Sequence, residues 1–334
     1  MKRDPDVPDF AYDYANLASA RLGASVIEVT DDFFADRQRM LQDAPAIFIP
    51  DKYDDNGKWM DGWETRRRRH GGHDWAIVKL AVAGVVKGID IDTSHFTGNF
   101  PPAASLQGCR SDAAPDAKTS WTPLLPINSL GTSRHHYFAI SDAKPITHVR
   151  LQIFPDGGVA RLRIYGTPVP AWPAGQTTTV QELSAIRNGG AIVAYNDAHY
   201  GNVASLLLEG RGRDMGDGWE TRRRREPGHD WIIVALGGTG IPERIEVDTA
   251  FYKGNFPDRC SLQAARVGEG TRASIITQSQ FWPVLLPEQK LAADSVLTFD
   301  TGLLAKLGAV SHVKLNIFPD GGISRLRVFG KLAP

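Results

Sequence analysis

Asp61-Gly62-Trp63-Glu64-Thr65-Arg66-Arg67-Arg68-Arg69 occurs a second time, unchanged, as Asp217-Gly218-Trp219-Glu220-Thr221-Arg222-Arg223-Arg224-Arg225. A three-residue tag follows each copy at the same distance: His73-Asp74-Trp75 and His229-Asp230-Trp231. Self-similarity over roughly half the chain is a duplicated domain, not a solenoid of short units. Working outward, Gly23 to Asp31 matches Gly189 to Asp197. Ile89-Asp90-Ile91-Asp92-Thr93 matches Ile245-Glu246-Val247-Asp248-Thr249, and Gly98-Asn99-Phe100-Pro101 matches Gly254-Asn255-Phe256-Pro257.

The matched segments read as strands and turns. Ile89 to Asp92 alternates with period two, so Ile89 and Ile91 point to a core while Asp90 and Asp92 point away. Each unit ends on two alternating runs around Pro155-Asp156-Gly157-Gly158 or Pro319-Asp320-Gly321-Gly322, which predicts a hairpin. Before the nine-residue stretch the first unit carries an insertion around Ile49 to Gly57. Many short strands with Gly/Pro turns predict an all-β chain of two jelly-roll-like sandwiches in tandem. The first spans residues 16–167 and the second 180–330, joined by a Pro-rich linker at 168–179. Residues 1–15 read as an extended arm. Short helices are expected at the start of each unit and near Gly302 to Lys306.

The 334 residues fit two domains of about 150 residues each. The formal net charge is zero, which argues against a nucleic-acid binder driven by overall charge. Only Cys109 and Cys260 occur, and the repeat register sets Ala104, not Cys109, opposite Cys260. That pattern suggests free thiols in a reducing compartment. No signal peptide and no apolar run of membrane-spanning length is visible, so the expectation is a cytoplasmic protein without a membrane partner. Oligomeric state is open, a homo-oligomer included.

Asp61, Glu64, four arginines and His73 fall within thirteen residues, bracketed by Trp63 and Trp75. On a strand, two of the four arginines would face a ligand. The plain alternative is a solvated edge strand. Arg forks grip carboxylates, and a histidine can move protons near neutrality, which singles out His73 and His229. His148 and His312 precede alternating strands and read as structural. Asn99 and Asn255 could present an amide to a ligand, and Asp92 and Asp248 face away from the expected core. The units diverge where His95 stands opposite Phe251, His70 opposite Glu226, and His199-Tyr200 opposite Phe33-Phe34. No zinc motif, phosphate loop or nucleophile elbow is present. No cofactor is predicted, and dependence on a divalent metal is left open.

The doubled motif, with Ile-Asp-Thr-Ser-His-Phe-Thr-Gly-Asn-Phe-Pro at residues 91–101, closely resembles the allantoicase family from about Asn16 to Gly330. The resemblance implies a repeated jelly roll of the galactose-binding-like type. It also implies hydrolysis of allantoate to ureidoglycolate and urea in purine breakdown. On that basis Arg66 and Arg68, or Arg222 and Arg224, are expected on the substrate carboxylate. Glu64 and Glu220 would hold ureido nitrogens or act as base, and His73 and His229 would transfer protons. Asp61, His95, Asn99, Asp217 and Asn255 complete the expected binding set. The alternative is a non-catalytic tandem sandwich that binds carbohydrate or another small ligand.

Overall fold

A 19-residue strand is the spine of each repeat: Asp74–Asp92 in the first and Asp230–Asp248 in the second. In the computed structural model, which describes residues 4–141, 144–169, 172 and 178–333, each strand belongs to an eight-stranded antiparallel sheet. The start of the spine pairs with Ser25–Val29 and with Ile146–Phe154, which continues to Ala103–Cys109 and Thr122–Ser129. Its end pairs with His135–Ala139, and Arg161–Pro168 also pairs with it. One strand thus serves both layers of a sandwich, with an irregularity in the pairing where it passes between them. The second repeat has the same order about Asp230–Asp248.

The core follows the alternation read from the sequence. Ile89, Ile91, Leu106, Val149, Leu151, Ile153 and Leu162 have no solvent exposure. Trp63 and Trp219 are likewise enclosed, and each indole N–H finds a carbonyl, on Asp31 and Asp197, at 2.8 Å. A buried indole needs that partner, so the tryptophan of the repeated stretch fixes the Asp31 or Asp197 loop in place.

Several expectations change. The two runs flanking Pro155–Gly158 are not a hairpin, because both pair with the spine and not with each other; the second repeat does the same. The turn residues signalled a reversal, but the strand partners are set by long-range pairing. Between them, Gly158–Val159 pairs with Trp63–Glu64. Gly157 sits at φ +138, and a Cβ there would lie 2.7 Å from the Pro101 nitrogen. Asp90, Asp92 and Asp248 are buried on the face opposite the core. Asp92 and Asp248 accept the backbone N–H two residues on, at 2.8 and 2.7 Å, while Asp90 meets Arg163 at 3.0 Å.

The insertion forms a small ladder, Tyr53–Asp54 with Gly57–Lys58. Short 3-10 turns at Ala20–Leu22 and Ile186–Asn188 open the units. Near Gly302 there is a hydrogen-bonded turn, not a helix, and the helix Arg272–Ser279 was not foreseen. The N-terminal segment carries a short helix, Asp9–Asp13, instead of an extended arm. It groups with residues 168–334, apart from Asn16–Thr167, and the Asn202 amide donates to the Ala11 and Tyr14 carbonyls at 2.8 and 2.9 Å. Of the expected linker, residues 170, 171 and 173–177 lie outside the described residues. Among the described residues no helix is long and apolar enough to cross a membrane.

Candidate active site

The nine-residue stretch is a strand for only two residues, Trp63–Glu64. The arginines that follow are irregular, so the alternation expected of a strand does not govern them. Their backbone is held by hydrogen bonds from other loops instead. Thr65 exchanges bonds with Gly157, donating its N–H to the carbonyl and accepting the Gly157 N–H at its hydroxyl, both at 3.1 Å. The Arg66 N–H donates to Asp31 Oδ2 at 2.6 Å, and the Arg68 N–H to Asp156 Oδ2 at 2.7 Å.

These elements surround a cavity of about 1220 Å³ whose lining includes Asp31, Phe33, Phe34, Glu64, Arg66 to His70, Asp74, Asn99, Phe100 and Asp156. Glu64 is buried. Its backbone exchanges hydrogen bonds with Ala35 and pairs with Gly158, so the side chain has a fixed origin. Asn99 donates to Glu64 Oε1 at 2.7 Å, and the Asn99 carbonyl is tied to the Gly158 N–H at 2.7 Å. Burial raises the Glu64 carboxyl above the usual carboxylate range, and the Asn99 bond pulls the other way.

The arginines divide into two kinds. Arg66 is spent on Asp31, with Nε at 2.8 Å and Nη2 at 2.6 Å from Oδ1, and its guanidinium lies 5.2 Å from the Phe33 ring. Arg68 Nη1 is 2.5 Å from Asp74. Arg67 and Arg69 line the same cavity and, among the described residues, have no carboxylate partner. An anion entering here meets two uncommitted guanidinium groups, with His70 beside them.

The second repeat builds the matching site with a different lining. Asn255 donates to Glu220 Oε1 at 2.6 Å, and burial again raises the carboxyl. The Arg222 and Arg224 N–H groups donate to Asp197 and Asp320 at 2.7 and 2.9 Å. The cavity is about 430 Å³, lined by His199, Tyr200, Glu220, Arg222, Arg223, Asn255, Asp258 and Asp320 among others. Glu226 meets Arg222 at 2.8 Å and Arg224 at 3.5 Å, and Arg224 also meets Asp230 at 3.3 Å.

Of the residues singled out from the sequence, the first cavity gathers Glu64, Arg66, Arg68 and Asn99, and the second gathers Glu220, Arg222 and Asn255. Arg224 stands beside the second cavity without lining it. His73 lies outside the first, its Nε2 2.9 Å from the Gln152 amide nitrogen and its ring 4.6 Å from Phe154. His229 sits likewise on Asn316 at 3.2 Å, near Phe318. Burial lowers the affinity of both rings for protons. These two histidines stabilise the start of the spine strand instead of facing the cavity. Asp61 is taken by Arg161 at 2.7 Å and Asp217 by Arg325 at 2.9 Å, both structural ion pairs. His95, at φ +69, points its Nε2 at the Ala46 carbonyl, 3.1 Å away. Asp31, Asp156, Arg67 and Arg69 were not singled out, and His70 and Phe33-Phe34 stood out only as points where the two units diverge. The matched Asp31/Asp197 and the repeated Pro-Asp-Gly-Gly turns carried that signal, but they read as turns. Among the described residues no group of three or more His, Cys, Asp or Glu side chains is placed to hold a metal ion.

The allantoicase repeat model matches residues 15–169 and 181–333. A "Probable allantoicase 2" of Burkholderia pseudomallei is 57% identical over 331 residues, covering 99% of this chain and 98% of that protein. A "Probable allantoicase" of Rhizobium meliloti is 53% identical, covering 98% of this chain and 96% of that one. Among solved structures, an allantoicase from Saccharomyces cerevisiae superimposes with a TM-score of 0.72 at 33% identity, covering 95% of this chain and 92% of that one.

Proposed function

The chain belongs to the allantoicase family, and we propose that it hydrolyses allantoate to ureidoglycolate and urea in its first-repeat cavity, with Glu64 moving the proton. It is a hydrolase of purine degradation, and the carbohydrate-binding alternative is not favoured by relatives that match end to end. The observation that carries the assignment to the cavity is Glu64 itself: a buried carboxyl, raised by desolvation, among arginines that a small anion can reach.

Allantoate carries a carboxylate and two ureido arms on one carbon. Arg67 and Arg69 receive the carboxylate, since Arg66 and Arg68 are already paired. Glu64, ionised, takes a proton from water as the water oxygen bonds to the central carbon and the carbon–nitrogen bond breaks. The same proton then passes to the departing urea nitrogen, so the carboxylate is regenerated and charge balances. A raised carboxyl is a stronger base than a solvated one, which favours the first transfer. Asn99 orients the carboxylate through Oε1. Two free, buried cysteines fit residence in the reducing cytoplasm.

Urea release from allantoate, followed with the purified chain with and without chelator, tests the reading directly and reads metal dependence in the same run. Sustained release that disappears in Glu64→Gln supports it. No release from the folded wild-type chain under any metal condition overturns it.

A further inference from the structure

We propose that Asp156 is a positioning residue: with Asp31 it suspends the Arg66–Arg69 segment by its backbone, so that Arg67 and Arg69 stand ready for the anionic substrate. The proposal rests on the first-repeat reading given above, and it gives a role in that site to residues the sequence marked only as turn formers.

An irregular segment with four adjacent positive charges repels itself and loses conformational entropy when ordered. Something must hold it. In this chain the holds are side-chain oxygens placed on backbone N–H groups that have no partner within their own segment. Asp156 Oδ2 takes the Arg68 N–H at 2.7 Å and Asp31 Oδ2 takes the Arg66 N–H at 2.6 Å. The arrangement is built twice, since Asp320 and Asp197 take the Arg224 and Arg222 N–H groups at 2.9 and 2.7 Å. Both repeats have kept this geometry while residues around it diverged, as at His70 and Glu226.

Asp156 occupies the more consequential position. The next residue, Gly157, locks Thr65 in both directions, and Gly158 donates to the Asn99 carbonyl. One three-residue turn therefore fixes the arginine segment, the residue after Glu64 and the loop bearing the amide that touches Glu64. Asp31 is anchored in turn by the fully enclosed Trp63 through its carbonyl. The holds act on the odd arginines indirectly: the N–H groups taken belong to Arg66 and Arg68, and the side chains left uncommitted are those of Arg67 and Arg69.

The test compares three replacements of Asp156. Asp156→Ala removes the acceptor. Asp156→Glu keeps the charge but moves it one methylene away. Asp156→Asn loses the charge but keeps an oxygen that can accept the Arg68 N–H. We expect KM for allantoate to rise tenfold or more in the first two with kcat within about threefold, and to return to within about threefold of wild type in the third. The same ordering is expected in the dissociation constant of allantoate measured calorimetrically on a Glu64→Gln background, which needs no turnover. A purely structural role would lower the melting temperature and kcat while leaving KM and the dissociation constant in place, and that result overturns the proposal. So does Asp156→Glu binding like wild type, which would make charge and not position the point. If Asp156→Ala does not fold, Asp156→Glu and Asp156→Asn still decide between these outcomes. Wild-type chain that releases no urea would instead sink the underlying reading, so the two failures stay distinct.

Discussion

After the arginine run the first repeat has His70 and the second has Glu226. Around that difference the backbone hardly changes. Both segments hang from Asp side chains that take the N–H groups of the first and third arginines, both Thr side chains lock to a glycine, and both Glu carboxyls take an Asn amide. The lining differs. In the second repeat Glu226 reaches Arg222 and Arg224, Asp258 replaces Pro102, and the cavity holds about 430 Å³ against about 1220 Å³ in the first. Duplication has kept the contacts that hold the chain and let the residues around the arginine segment drift. Scaffold bonds are short and mutually dependent, whereas Glu226 reaches the Arg222 and Arg224 side chains without disturbing any of them.

The largest expected effect tests whether that drift has functional meaning. Glu64→Gln should lower turnover by about 10²–10⁴-fold, the usual worth of one proton-transfer group. Glu220→Gln should leave urea release within severalfold of wild type. Equal losses in both variants would make the two cavities partners in catalysis and remove the asymmetry. Folding supplies the control. Burial raises the Glu64 carboxyl in the folded state, so that group's favourable contribution is complete below its unfolded pKa and is lost as pH rises through the folded one. Removing the ionisable group at neutral pH should leave the melting temperature unchanged or higher.

The second comparison concerns stability. Arg325 and Asp217 are almost completely enclosed, at 0% and 2% side-chain exposure, while Arg161 and Asp61 are at 2% and 13%. Deleting one partner of a buried pair leaves an unpaired charge and costs about 3–5 kcal/mol. Asp217→Ala should therefore sit at the upper end of that range. Asp61→Ala should cost less, because water can reach its site and Arg161 retains the Ala44, Asp61 and Ala160 carbonyls. Urea denaturation of the two variants measures this. A larger loss in Asp61→Ala would mean that exposure does not rank the pairs.

A smaller effect follows from exchanging the divergent residue itself. His70→Glu puts a carboxylate on the lining of the first cavity, next to Arg69. It should raise KM about tenfold, or about 1.4 kcal/mol, with kcat little altered. Glu226→His should not change KM. An unchanged KM in His70→Glu would detach substrate affinity from the charge of the arginine segment.

How far the sequence foretold all this depends on the range of the forces involved. The duplication, the strands and the Glu–Asn–Arg grouping were legible, because alternation and exact repetition are local patterns. The partners of the closing strands were not: a Pro-Asp-Gly-Gly turn announces a reversal, but pairing with residues about seventy positions away decides the register. The histidines misled for a related reason. His73 stands near Glu64 in the chain, yet the spine strand that starts at Asp74 carries it onto Gln152. Among four identical arginines nothing local separates Arg66 and Arg68 from Arg67 and Arg69. That division comes from Asp31 and Asp156 on other loops and from Asp74 at the start of the spine strand, and the first two read as turn formers.

The finest probe of the first cavity is its pH dependence. Two influences on Glu64 oppose each other: burial raises its carboxyl, and the N–H donated by Asn99 at 2.7 Å stabilises the ionised form and lowers it. Asn99→Ala removes only the second, so the Glu64 carboxyl should move further up. Because the proton shuttle requires the carboxylate, the acid limb of kcat/KM should shift to higher pH in this variant. Well above the limb the carboxylate is present in both proteins, and the difference between them should shrink to whatever orientation alone contributes. Asn255→Ala removes the equivalent bond to Glu220 and should leave the profile where it was, if the second cavity stands outside the rate-determining chemistry. Profiles of kcat/KM for the three proteins across the acid range settle the sign. An acid limb that stays fixed or moves down in Asn99→Ala would show that Asn99 does not set the ionisation of the group that moves the proton. The same shift appearing in Asn255→Ala would show that both repeats feel the substrate.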